Sequence, residues 1–106
     1  MQVTLSEFKI ESSLITFKVG VPYHFVVTNS GTTTHEFMAG PISVENAPED
    51  ARDAAKLFEV SELEPGQAGT QDYTFTQPYP AGTLEFSCHV GGHFEQGMKL
   101  HFTVTA

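Results

Sequence analysis

The chain has 106 residues, 40% of them apolar, with nine Phe and 13 Asp and Glu against five Lys and Arg. A net charge of −8 argues against nucleic acid as a partner, because neutralising phosphates requires a basic face. No run of 18 apolar residues offers a transmembrane helix, and the length suits one domain, residues 1–106, with its own core.

Met1 runs straight into Gln2-Val3-Thr4-Leu5-Ser6 without a basic or apolar leader, which fits either a cytosolic protein or a chain whose signal has been removed. Residues 2–10 are rich in β-formers, and residues 14–19 form the next such run. Residues 23–28 alternate, with Tyr23, Phe25 and Val27 on one face, and Asn29-Ser30-Gly31 is a turn signal. Residues 33–38 read as a strand closed by Gly40-Pro41. The stretch 48–57 reads as a short helix, with Pro48 at its start, Glu49 and Asp50 in its first turn, and Ala51, Ala54, Ala55 and Phe58 on one face. The segment around it, residues 45–64, holds seven acidic residues against Arg52 and Lys56, the pattern of a solvated face or a docking surface for a basic protein. Pro65-Gly66 is a turn. Residues 70–76 alternate again around Tyr73 and Phe75. Residues 83–88 put Leu84, Phe86 and Cys88 on one face, and residues 99–105 do the same with Leu100, Phe102 and Val104. Short strands at this spacing point to an all-β sandwich or barrel with one short helix.

The last two strands flank the most informative stretch. Cys88, the sole cysteine, is followed by His93 and then Met98 in a Cys-x4-His-x4-Met array threaded with glycines. With one cysteine there is no internal disulfide. A thiolate, an imidazole and a thioether at such spacing suit copper, and a blue-copper site needs a second imidazole, which His35 supplies from the middle of the chain. If the two strands are antiparallel, Cys88 and Met98 lie at neighbouring ends and His93 in the loop between them. Structural zinc would favour more thiolates, and an iron–sulfur cluster more cysteines. A Cys–His hydrolytic dyad lacks any nucleophile elbow. Met38 competes with Met98 as a thioether. By strand alternation His89 points away from Cys88, and His24 and His101 fall on polar strand positions.

These residues carry a family resemblance. The run Val26-Val27-Thr28-Asn29-Ser30-Gly31, then His35-Glu36-Phe37, Glu64-Pro65-Gly66, Phe86-Ser87-Cys88 through His93, and Gly97-Met98-Lys99 resembles the cupredoxins, the small blue-copper proteins that include plastocyanin, azurin, auracyanin and rusticyanin. The resemblance implies a Greek-key β-sandwich binding one copper ion through His35, Cys88 and His93, with Met98 as a weak axial ligand. It implies a monomeric, non-enzymatic carrier of single electrons by Cu(I)/Cu(II) cycling, located in the periplasm or otherwise outside the cytoplasm. Its partners would be redox proteins, such as a basic cytochrome c or an oxidase or reductase. It also implies that His93 reaches the surface through an apolar patch with Phe94, Val90 and Pro41. A copper-delivery protein, or an accessory module of a larger oxidoreductase, is the alternative. Two departures touch the surroundings of the site: Glu36 stands where plastocyanin and azurin have Asn, and Val90-Gly91-Gly92 where many relatives have Pro.

Overall fold

A computed structural model describes residues 1–106. Nine strands form two sheets. β1 (Gln2–Ser6), β2 (Lys9–Ser12), β4 (Pro22–Asn29) and β7 (Ala68–Thr74) make one sheet in the order β2-β1-β4-β7. β3 (Thr16–Lys18), β9 (Lys99–Thr105), β8 (Tyr79–Ser87), β5 (His35–Pro41) and β6 (Phe58–Leu63) make the other, in the order β3-β9-β8-β5-β6. Two of the pairings, β1 with β4 and β3 with β9, are parallel and the rest antiparallel, so the chain crosses between sheets repeatedly.

Alternation explains the core. Phe25 and Val27 of β4 and Phe102 and Val104 of β9 are buried, while their strand neighbours are more open; at the end of β8, Leu84 to Ser87 are all buried, so Phe86 sits in a strand covered on both faces. The aromatic rings interlock: Phe86 stacks on Phe102 at 4.1 Å between centroids, and Phe17 meets Phe102 edge-on at 5.5 Å. Burying one such ring stabilises the fold by about 1.5–3 kcal/mol.

Three elements differ from the sequence expectation. Residues 2–10 are not one run, because Glu7 and Phe8 turn the chain from β1 into β2, with Phe8 in the left-handed region at φ 58°. The helix α1 is confined to Glu49–Ala55, and Phe58 belongs not to it but to β6, where it packs in the core against Phe25 at 4.9 Å. β3 keeps only Thr16–Lys18, leaving Leu14 and Ile15 exposed.

Candidate metal centre

β5 begins at His35, and its antiparallel neighbour β8 ends at Ser87 opposite Met38, so Cys88 emerges beside the first residues of β5. The Cys88 sulfur accepts the Glu36 backbone N–H at 3.4 Å. The Cys88 N–H donates to the Met98 carbonyl at 3.2 Å, fastening the end of β8 to the approach of β9. Between these anchors the chain folds back on itself. His93 N–H bonds the Val90 carbonyl at 2.8 Å and Met98 N–H bonds the His93 carbonyl at 3.2 Å, around a 3-10 turn over Phe94–Gln96. Gly97, at φ 94°, reverses the chain where a Cβ would be strained.

This arrangement brings three of the four predicted donors together: one ligand atom each from His35, Cys88 and His93 lies within 4.8 Å of the others. The sulfur is 3.5 Å from His93 Nδ1 and 3.9 Å from His35 Nδ1, and the two imidazole centroids are 4.8 Å apart. Bonds of about 2.0–2.3 Å to a shared ion separate donors by roughly 3.5–4 Å, so little contraction is needed. Met98 is wholly buried in the same cluster as Cys88 and tied to it through the backbone bond above. Met38 sits on the other face of β5, where with Glu36 and His89 it lines a polar cavity of about 330 Å³. One thiolate, two imidazoles and an adjacent thioether fit a single copper ion.

Burial pushes the Cys88 thiol up, opposed by the Glu36 and Val90 backbone donors, so a metal must displace a proton from it. Burial, helped by the nearby His93, pulls His35 down and keeps its imidazole neutral. His35 Nε2 is buried with no hydrogen-bond partner.

The surroundings hold residues whose roles the sequence did not reveal. Asn29, wholly buried, donates from Nδ2 to the Thr33 and Leu63 carbonyls, both at 2.8 Å, and accepts the Gly31 N–H at 2.9 Å. It therefore pins the loop that leads into His35 to the end of β6. Only its turn-forming character shows in the sequence. Glu36 departs from the family pattern but still braces the loop: its carboxylate accepts the His89 N–H at 3.0 Å. Burial raises the Glu36 acid, a cost that this bond offsets in part. His89 points away from the donors, as alternation predicts. It stacks on Phe94 at 4.5 Å, and burial pulls its pKa down to about 4. Phe94 is therefore buried rather than part of a surface patch. The aromatic ring that meets His93 is Phe8, 45% exposed and edge-on at 5.6 Å, while Val90 and Pro41 are half-buried. His24 pairs with Asp72 at 2.6 Å, and His101 lies 3.7 Å from Glu85; neither approaches the trio.

No protein-family model matches the chain. It is 30% identical over 103 residues to the copper-resistant cuproprotein CopI of Rubrivivax gelatinosus, covering 92% of this chain but 61% of that protein. Among solved structures it is similar to the auracyanin of Roseiflexus castenholzii, with a TM-score of 0.72 at 18% identity over 99% of this chain and 94% of that one. Auracyanin B gives 0.74 at 17% identity over 100% and 88%. The azurin Az-iso2 of Methylomonas sp. strain J gives 0.68 at 14% identity over 99% and 95%. Two sheets that superpose along almost their whole length on two auracyanins and an azurin, with a thiol and two imidazoles gathered at one end, identify the fold of this chain as the cupredoxin fold.

Proposed function

We propose that the chain is a mononuclear copper protein that carries single electrons between redox proteins, with His35, Cys88 and His93 as principal ligands and Met98 as a weak axial donor. The observation that carries this reading is the convergence of a buried thiol and two imidazole Nδ1 atoms on one another. Copper, when bound, supplies a one-electron couple. Cys88 gives up its proton and serves as the thiolate. Backbone N–H groups from Glu36 and Val90 stabilise negative charge on the sulfur and so favour the reduced state. Met98 offers a soft donor from a buried position, which also favours the reduced state. Four protein donors leave no position for a substrate, which makes the chain a carrier and not an enzyme. His93, half-buried with Phe8 beside it, is the electron port. The net charge of −8 suits encounter with basic redox partners. The likeness of the fold to auracyanins and an azurin supports a placement outside the cytoplasm; no helix is long and apolar enough to cross a membrane.

A second reading has its own support. The relative from Rubrivivax gelatinosus is named for copper resistance, so binding or delivering copper competes with electron carriage. One experiment separates them. Cu(II) is added to the protein, and visible absorption and EPR are recorded through reduction by ascorbate and reoxidation. An intense thiolate-to-copper band that bleaches and returns, with copper retained, supports the carrier. Copper released on reduction supports delivery, and a weak band removes the ligand assignment.

A further inference from the structure

We infer that Glu7, in the turn between β1 and β2, is a positioning residue for His35: its carboxylate takes the hydrogen bond of the His35 Nε2–H, directly or through one water, and so leaves Nδ1 free to bind metal. This rests on the copper reading for its purpose but on the geometry of the chain for its argument.

His35 Nε2 is buried and has no partner, although a histidine that binds a metal through Nδ1 must carry its proton on Nε2. A buried N–H left unpaired costs about 1–3 kcal/mol, so an acceptor is expected close by. Gly31 shows where it is. A Cβ placed on Gly31 would lie 2.9 Å from His35 Nε2 and 2.8 and 3.0 Å from the two carboxylate oxygens of Glu7. The imidazole edge and the carboxylate thus flank the same small space, and only a residue without a side chain lets both approach it. Glu7 is not a drifting surface acid. Its Oε1 accepts the Thr32 backbone N–H and, at 2.7 Å, the Thr32 hydroxyl, so it is fixed to the loop that leads into His35. These bonds occupy one oxygen and leave the other for the imidazole. The turn itself is built for the purpose: Phe8, held at φ 58°, directs its ring onto His93 while Glu7 faces His35. One two-residue turn therefore packs on one imidazole and faces the edge of the other. A carboxylate behind a metal-bound histidine makes the imidazole a stronger donor and stabilises the more highly charged metal.

The test uses Glu7→Gln and Glu7→Leu in the full chain, with two readouts. Long-range 1H–15N NMR of the copper-free protein at neutral pH reports the His35 tautomer. The expected result is Nε2–H in the parent and in Glu7→Gln, whose amide oxygen still accepts, and a gain of Nδ1–H in Glu7→Leu. On the copper-loaded proteins, both variants should lower the ratio of Cu(II) to Cu(I) affinity about tenfold, a rise in potential of about 59 mV for one electron. A His35 tautomer and potential unchanged in Glu7→Leu would overturn the inference and reduce Glu7 to a staple for Thr32. If the parent forms no thiolate–copper band, the copper reading falls, while the tautomer result still decides the role of Glu7. Glu7 is exposed and Gln is isosteric, so at least one variant keeps the fold.

Discussion

The two imidazoles of the site are held in opposite ways. His35 opens a strand, is wholly buried, and is approached by a loop that Asn29 ties to two carbonyls. His93 rides on a loop closed by its own short-range bonds and a glycine reversal, and is half-open to solvent. One side of the site belongs to the sandwich and inherits its rigidity, while the other can yield without disturbing the sheets. Under the proposed electron-carrier function, a site that must keep its geometry through a change of charge and still admit a metal is served by this division.

Four substitutions probe that contrast. The largest effect is expected for Cys88→Ser, which removes the donor shared by both sides; the visible charge-transfer band should vanish, and a variant keeping full colour would refute the assignment. Asn29→Ala strikes the rigid side. It leaves the Thr33 and Leu63 carbonyls without their buried donor and should cost about 3 kcal/mol in urea unfolding, with little change expected in the loop around His93. Glu85→Gln acts on the outer face, where Glu85 of β8, in contact with Glu45, lies beneath the start of β9. Burial first, and Glu45 second, push Glu85 up to about 8. Between an ordinary carboxylate value and 8 the folded chain therefore holds a proton that the unfolded chain releases. Stability is fully present at pH 4 and is lost as pH rises through 8. Lys99, 3.9 Å from Glu45, is the cationic group facing the pair, and the His101 ring lies 3.7 Å from Glu85. The Gln variant should flatten this slope and exceed the parent at pH 9 by about 2 kcal/mol, read from thermal melts at both pH values. Gly97→Ala, the smallest, puts a Cβ at φ 94° with no neighbour within 4 Å, so its cost is conformational, about 1 kcal/mol. Amide exchange should quicken in residues 89–98 and stay unchanged in β5.

How far the sequence revealed this follows from what each feature depends on. The donors on and beside β8 and β9 were legible because residues close in sequence must be close in space when two adjoining strands pair. His35 was found by its chemistry, since a copper set with one imidazole is incomplete. β6 was hidden by irregularity: Glu62 sits at φ 53° and the pairing slips between His35 and Phe37, so Phe58 and Leu63 are both buried without sharing strand parity. The alanines before it favoured extending the helix through Phe58. The turn at Glu7-Phe8 carries no glycine, proline or asparagine to announce it. The work of Asn29, Glu36 and Glu7 depends on partners 25 to 53 residues away in the chain, a distance that local patterning does not span.

The sealing of Cys88 has a consequence for the protein before it meets its metal. The thiol is fully screened from solvent, burial keeps it protonated, and there is no second cysteine with which it could pair within the chain. Alkylating reagents and oxidants attack thiolates, so the newly folded chain should outlast an oxidising surrounding that would inactivate an open thiol. The loop that carries the half-open His93 is thus also part of the cover that keeps the sulfur chemically silent.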